Sequence, residues 1–202
     1  MSLGSDLKET YEEIGIKVTV DGNAEEYIDY APNAQVTKPF IREFFIEGSI
    51  PYDTTQVVGS IVRFDIFNRD YMVVNLTPES LENEVYEYSG VYYMSNVSGE
   101  ISRPSGEAVW DDETYQKKTS FETIQEDAYA LMTEPLFGTD LDSQSELGNL
   151  SIEKDELYIP TRYGIQALDR YQPASGEYRE VTAVMKRRFS GVDVCKLSED
   201  NR

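Results

Sequence analysis

The sequence predicts a mainly β fold, a small β-barrel or sandwich that carries a long acidic insertion with one short helix. Three observations lead to this prediction. The strand-like segments are short and bounded by turn residues, the fifteen tyrosines suit half-buried positions on pleated sheets, and strands do not alternate regularly with helices. With 202 residues, the chain is long enough to bury a hydrophobic core.

The first fifteen residues (1–15) are predicted to form an N-terminal arm outside the barrel. Ser5 to Glu9 starts a short helix that ends near Gly15. Residues 16–20 then alternate between apolar and polar side chains, as a half-buried strand does. Asp21 and Gly22 follow, a pair that tolerates positive φ and therefore indicates a hairpin turn.

Strand signals are densest between residues 35 and 75. Residues 40–46 are rich in aromatic and β-branched side chains, and Pro51-Tyr52-Asp53 breaks this segment. Residues 61–67 alternate, the turn Asn68-Arg69-Asp70 follows, and residues 71–76 form the next strand. The region from residue 61 to residue 76 is therefore predicted to be one β-hairpin.

The later strands are also short. Residues 85–97 predict a β segment that is interrupted at Ser89-Gly90 and ended by Gly99 and Pro104. Further strands are expected at residues 157–160, 164–168, 180–186 and 192–197. The sequence shows no tandem repeat. We therefore expect one barrel core, built from residues 16–104 and 157–202.

Residues 105–156 are predicted to form the acidic insertion. The stretch from Ser105 to Pro160 holds 14 acidic and three basic residues, a balance of −11 that exceeds half of the net charge of −20. Thr119-Ser120-Phe121-Glu122 fits a capping box, and the apolar spacing after it predicts a helix over residues 120–132. Residues 137–151 are polar and contain glycines, which predicts an extended loop.

The charge balance disfavours several partners. The chain has 38 acidic and 18 basic residues, so it repels free nucleic acid and anionic lipid. No stretch approaches the roughly eighteen apolar residues of a membrane span. The single cysteine, Cys195, cannot form an internal disulfide, and its alternating context predicts a buried strand thiol.

The absence of histidine argues against most catalytic chemistry. It removes the commonest general base, the Ser-His-Asp and Cys-His arrangements and most zinc sites. No phosphate-binding glycine loop occurs. Two carboxylate runs, at residues 111–113 and 140–146, suit a hard cation, but the second lacks the glycine and the last glutamate of an EF-hand loop. We expect no enzyme, no cofactor and no metal site.

Two groups of residues are candidates for binding surfaces. The cluster Lys186-Arg187-Arg188 ends a predicted strand and is either a solvated turn or a docking contact for an acidic surface of a neighbouring copy. Four tyrosines could instead form an aromatic platform for a glycan or a peptide, or pack in a half-buried sheet. They are Tyr86, Tyr88, Tyr92 and Tyr93.

Two stretches of the sequence resemble a known class of protein. The first runs from Val58-Gly59-Ser60-Ile61-Val62-Arg63-Phe64 through Tyr71-Met72-Val73-Val74 to Tyr92-Tyr93-Met94-Ser95-Asn96. The second is Leu168-Asp169-Arg170-Tyr171, followed by residues 176–181 and 191–197. Together they are similar to the small β-barrel proteins of tailed phages that close or adapt the head-to-tail channel. They cover about half of the chain, and the acidic insertion departs from this pattern.

The resemblance implies a structural protein of the virion neck or tail, assembled in the host cytoplasm. It implies a homo-oligomeric ring around the DNA channel, with portal, adaptor or tail proteins as neighbours and no membrane contact. DNA would only pass through, and an acidic lumen would keep it from adhering. Phe137, Asp140 and Asp142 of the insertion would then contribute to the ring contact. The alternatives are a monomeric β-sandwich binding module for a glycan or peptide, and a hydrolase that uses paired carboxylates.

Overall fold

The computed structural model describes residues 3–32, 45–112, 115–133, 156–173 and 176–200. These residues form one α-helix, twelve β-strands and a short 3-10 turn at Thr161–Tyr163. The helix is α1 (Leu3–Ile14), and the strands are β1 (Ile16–Val20), β2 (Ala24–Pro32), β3 (Phe45–Pro51), β4 (Ile61–Phe64), β5 (Arg69–Leu81), β6 (Glu84–Met94), β7 (Val97–Asp111), β8 (Gln116–Thr133), β9 (Glu156–Pro160), β10 (Arg170–Gln172), β11 (Arg179–Met185) and β12 (Val192–Glu199).

The twelve strands close into two antiparallel barrels with the same strand order. The first barrel runs β1-β2-β3-β6-β5-β4, and β1 pairs with β4 to close it. The second runs β7-β8-β9-β12-β11-β10, and β7 pairs with β10 to close it. Adding six to each strand number of the first barrel gives the second. The chain therefore contains one topology twice, a repeat that its sequence does not show.

The prediction of a mainly β fold with a barrel is confirmed. The expected division into one core and one insertion differs from the structure, because strands β7 to β12 form a second barrel. Strands β7 and β8 take up much of the region expected to be an insertion. Their long hairpin satisfies its backbone groups within the second sheet, where β8 also pairs with β9.

The predicted helix over residues 120–132 is wrong, since these residues lie within strand β8. Ala128, Ala130 and Met132 alternate into the core of the second barrel, and Leu131 points to the opposite side. This period of two follows from the strand conformation of β8, which pairs with β7 along this stretch and with β9 from Leu131 to Thr133. Tertiary pairing therefore overrides the local capping signal.

Other predicted boundaries also shift. The expected strand at residues 164–168 is a loop, in which the Asp169 carboxylate accepts the Gln166 amide at 2.7 Å in place of a sheet partner. The expected interruption at Gly90 is absent, and β6 continues through this residue. A glycine fits there because a Cβ would lie 2.7 Å from the Ile50 side chain. Strand β7 likewise continues through Gly99 and Pro104, with register shifts that absorb both residues.

The predictions for the N-terminal half hold more closely. Helix α1, strand β1 and the turn at Asp21-Gly22 form as expected, with φ values of 48° and 73° at the two turn residues. The β4–β5 hairpin also forms, with Ile61 opposite Met72, but β4 ends at Phe64 and β5 begins at Arg69, so the turn lies at residues 65–68 instead of 68–70. The predicted strand at residues 40–46 appears only as the start of β3, because residues 40–44 lie outside the described part. No helix in the described residues could span a membrane.

The core of the first barrel is built around aromatic rings. Phe64 is fully buried and lies between 4.9 and 6.1 Å, centroid to centroid, from the rings of four neighbours. These neighbours are Tyr30, Phe67, Tyr71 and Tyr92. Val18, Ile28 and Val62 fill the space between them. Offset and edge-on ring contacts add to the hydrophobic free energy of this core.

The core of the second barrel is mostly aliphatic. Ala128, Ala130, Val181 and Cys195 are fully buried, and Tyr171 is its one fully buried aromatic residue within the described part. The Tyr171 hydroxyl donates to the Ala128 carbonyl at 3.1 Å, so its polar end is satisfied.

A third cluster of buried side chains joins the two barrels. We call it the shared core. The first barrel contributes residues of β3 to β6, and the second contributes residues of β8, β9 and β12. Its members are Phe45, Ile61, Met72, Val74, Tyr93, Leu131, Tyr158, Val192 and Val194. Because these side chains are buried against the other barrel, neither barrel can be removed without exposing apolar surface.

Backbone contact reinforces this junction. Gly59 and Gly191 have φ values of 92° and 82°. Each would clash with the backbone of the facing segment if it carried a Cβ. The added Cβ would lie 2.4 Å from the Gly191 carbonyl oxygen in one case and 2.2 Å from that of Val58 in the other. An ion pair of 2.7 Å between Arg162 and Asp21 also crosses the junction.

Candidate interaction surface

The basic cluster predicted to be a contact lies in the connection between β11 and β12. Lys186 and Arg187 are exposed at the start of this connection, and we call these two residues the basic turn. Arg188 points elsewhere. Its side chain is 26 % exposed and lies 3.6 Å from the Glu156 carboxylate, and its guanidinium sits 5.9 Å from the Tyr158 and Phe189 ring centres. Arg188 therefore anchors the connection, whereas Lys186 and Arg187 are exposed to solvent.

The basic turn stands out in the charge pairing of the described residues. Among the described residues, the cations that form ion pairs include Lys8, Lys17, Arg63, Arg103, Arg162, Arg170 and Arg188. Across the described part of the chain, Lys186 and Arg187 have no such partner, although the protein carries a net charge of −20. Two adjacent exposed cations are thus left available to an external anion.

A second surface is formed by the outer part of the β5–β6 hairpin. Residues 77–88, which we call the acidic arm, contain four glutamates and no basic residue. The arm ends in the turn Glu82-Asn83, whose φ values of 52° and 69° suit a tight two-residue hairpin turn. Leu81 and Val85 flank this turn and are 56 % and 38 % exposed. The arm therefore presents apolar side chains within an anionic surface.

The glutamates of the acidic arm are placed against each other. Glu79 lies directly opposite Glu87 in the β5–β6 ladder, where like charges destabilise the pair. The Tyr11 hydroxyl of helix α1 donates to the Glu87 carboxylate at 2.6 Å. Burial and this carboxylate raise the pKa of Tyr11, so it stays a neutral donor. Helix α1 thus supports the base of the arm but brings no positive charge to Glu79.

The acidic arm was not predicted, because the tyrosines that it contains indicated an aromatic platform or a half-buried sheet. A signal was present: Glu79, Glu82, Glu84 and Glu87 follow one another without a lysine or arginine between them. The pairing that turns this run into a projecting hairpin depends on the register of β5 with β6.

The predicted contact residues of the insertion, Phe137, Asp140 and Asp142, lie outside the described residues. The same holds for the carboxylate run at residues 140–146 and for Glu113 of the shorter run. Within the described residues, no group of three or more histidine, cysteine, aspartate or glutamate side chains is arranged to hold a metal ion.

The four candidate platform tyrosines are divided by the fold. Tyr92 is fully buried in the first barrel, and its hydroxyl donates to Gln56 at 2.8 Å. Tyr93 is 4 % exposed in the shared core. Burial raises the pKa of both hydroxyls. Tyr86 and Tyr88 are half-buried. An aromatic platform made of all four rings is therefore excluded.

Buried carboxylates in the second barrel have structural partners. Asp169 is 1 % exposed and accepts two hydrogen bonds of 2.8 and 2.9 Å from the Arg103 guanidinium. Glu156 accepts the Tyr158 hydroxyl at 2.9 Å. Asp193 accepts the Thr161 hydroxyl at 3.0 Å through one oxygen, and its second oxygen has no hydrogen-bond partner in the described residues.

Cys195 is a buried free thiol, as predicted from its strand context. Burial, followed by the negative charges of Asp193 and Asp169, raises the pKa of this thiol to about 12. The nucleophilic thiolate is therefore scarce at neutral pH, and Cys195 fits a packing role.

Comparison of the chain with protein-family models, with curated proteins and with solved structures finds no match. The interaction surface must therefore be interpreted from its own charges and geometry.

Proposed function

We propose that the chain is a structural protein of a tailed-phage virion, which assembles as a ring in the head-tail connector or tail around the DNA channel. The observation that carries this proposal is the pairing of a compact barrel body with two unlike surfaces, the exposed basic turn and the projecting acidic arm. A body with two different complementary surfaces can bind copies of itself head to tail, and such contacts form rings when the rotation closes.

The net charge also supports a role beside passing DNA. At −20, the chain repels the phosphate backbone, so DNA would move past it without being bound. Acidic residues such as Glu122, Glu126 and Asp127 are exposed on strand β8 of the second barrel. The acidity is therefore carried by barrel surface as well as by residues outside the described part.

The shared core supports a role that bears mechanical load. It fixes the two barrels to each other through buried side chains and through backbone contact at Gly59 and Gly191. A two-barrel unit without a flexible linker at this junction transmits force as one body. This property suits a connector that must withstand the pressure of packaged DNA.

The proposal is tested first by removing the gene from the phage that encodes it. Particles made without the protein should lose their packaged DNA or fail to carry tails, and supplying the protein from a plasmid should restore them. Particles that keep both DNA and tails would contradict the proposal. So would a gene that lies away from genes for terminase, portal and major capsid proteins.

Ring formation is tested with the purified protein. Light scattering after size exclusion and negative-stain electron microscopy should show closed rings, either of the protein alone or after purified portal or tail rings are added as templates. The central opening should admit a DNA duplex. A protein that stays monomeric at high concentration and on each template would contradict the ring.

A further inference from the structure

We infer that the basic turn of one copy docks on the acidic arm of the next copy, and that this contact repeats around the ring. The inference rests on the proposed function and names the surfaces that join its subunits. The partner is thus a second copy of this chain, bound through Lys186 and Arg187 on one side and the glutamates of residues 77–88 on the other.

The basic turn is held ready for such a contact. Phe189 packs against the shared core, and Arg188 is held by Glu156 and Tyr158. Lys186 and Arg187 are therefore presented from an anchored connection, which lowers the entropy lost on binding. Val57, which is 61 % exposed, adjoins Val58, and Val58 meets this same connection at Gly191. An exposed apolar side chain thus lies on the segment that contacts this connection.

The acidic arm contains no cation of its own. Glu79 and Glu87 are directly opposite each other, Glu82 and Glu84 stand at the tip, and no basic residue occurs in residues 77–88. Two cations placed between these carboxylates would relieve the repulsion. The exposed Leu81 and Val85 would meanwhile lose contact with water.

Pairing of a partner's strand with the outer edge of β5 is a less suitable way to bind the acidic arm. Along residues 75–81, β5 pairs only with β6 among the described residues, so its outer edge is free. Pro78 lies on that edge and lacks an N–H group, and the surrounding glutamates repel a further acidic strand. Side-chain contact with a basic partner remains open to the arm.

The contact between copies is tested by crosslinking two single variants. Arg187→Cys and Glu82→Cys, carried on proteins of different size, are mixed and treated with a short bis-maleimide. Only the mixed pair should give a crosslinked heterodimer in high yield. The unmodified protein serves as the control, because its one cysteine, Cys195, is buried. Homodimers formed equally well by either variant alone would overturn the proposed pairing.

Charge reversal tests the energetics. The double variant Lys186→Glu with Arg187→Glu should weaken assembly at least about tenfold, since like charges then meet across the interface. Adding Glu82→Lys and Glu84→Lys to the same chain should restore assembly. Lys17→Glu with Lys118→Glu changes the net charge equally away from the basic turn and should have little effect on assembly. Assembly of the unaltered protein should also weaken with added salt.

The outcomes separate this inference from the proposed function. If the unaltered protein forms rings and the reversed basic turn forms them equally well, the inference fails and the ring stands. If reversal abolishes binding to a portal or tail ring but leaves self-association intact, the partner is a different protein and the inference also fails. If deletion of the gene leaves complete particles, the proposed function fails irrespective of how copies associate.

Discussion

The two barrels of this protein have the same strand order but different interiors. The first packs Phe64 among four aromatic rings, whereas the core of the second consists mainly of aliphatic side chains such as Ile101, Leu157 and Val181. Both close through pairing of their first and fourth strands. The topology is therefore compatible with very different core chemistry, provided that the inward positions alternate and the total volume is filled.

The comparison predicts that the first barrel depends on single large rings and the second does not. Phe64→Ala should lower the free energy of unfolding by about 4 kcal/mol, since it removes a buried ring and leaves a cavity. Leu157→Ala, at a fully buried site of the second barrel, should cost about 3 kcal/mol. Urea unfolding followed by circular dichroism measures both. A larger loss for Leu157→Ala would show that ring packing does not distinguish the barrels.

The junction can be loosened without touching either barrel interior. Gly191→Ala should cost about 3 kcal/mol, because it combines strain at positive φ with a clash against the Val58 carbonyl. Gly164→Ala is the matched control: its φ is 66°, but nothing lies within 4 Å of the added Cβ. The control should lose only about 1 kcal/mol. Equal losses in chemical denaturation would mean that the backbone contact contributes nothing.

The ion pair across the junction predicts a pH dependence. Burial acts to raise the pKa of Asp21, but hydrogen bonds from Arg162, the Ile61 amide and Ser60 outweigh it and lower this pKa. Because the folded-state pKa is lowered, its contribution is present above the ordinary aspartate pKa of about 4 and is lost as pH falls through the folded-state value. Asp21→Asn should cost about 1 kcal/mol at pH 7, and less in acid.

Asp70 provides a control, because its pKa is shifted in the opposite direction to that of Asp21. Burial raises its pKa, and Arg63 only partly offsets this effect. Its ionised form therefore opposes folding at neutral pH, and protonation favours folding as pH falls through the raised value. Asp70→Asn should stabilise the protein at pH 7 by an amount that shrinks in acid. Urea unfolding at several pH values compares both variants, and parallel trends for the two would contradict the assigned charges.

The smallest expected effect is a change in labelling rate at Cys195, which reports the opening of the second barrel. Its burial and a pKa of about 12 should make it inert to thiol reagents in the folded protein. If the shared core couples the barrels, Phe64→Ala in the first barrel should accelerate this labelling. An unchanged rate in native buffer, measured by mass spectrometry, would show that the barrels open independently.

Local patterns predicted local structure. The alternation that begins at residue 61, the turn that includes Asn68 and the context of Cys195 indicated a strand, a hairpin and a buried thiol, which the structure contains with the turn shifted to residues 65–68. The helix prediction at residues 120–132 failed because β8 pairs with β7 along this stretch and with β9 from Leu131 to Thr133. Such pairings are set by the whole sheet and leave little trace in a single segment.

The candidate site was predictable only in part. Lys186, Arg187 and Arg188 are adjacent in sequence, yet Glu156 and Tyr158, about thirty residues away, hold Arg188 and leave its neighbours exposed. The junction depends in the same way on Gly59 meeting Gly191. The second barrel was missed because its likeness to the first lies in strand order, and no repeat of residues accompanies it.

The fold cannot be completed during synthesis until strand β12 has been made, because this strand contributes to two of the three buried clusters. Val192 and Val194 enter the shared core, while Cys195 and Leu197 enter the core of the second barrel. It is also the last of the described strands to leave the ribosome. At typical translation rates, about 5 to 20 s separate the end of β6 from that of β12. Throughout that time the finished first barrel exposes Phe45, Ile61 and Met72, so the nascent chain offers a binding surface for chaperones until its final strand arrives.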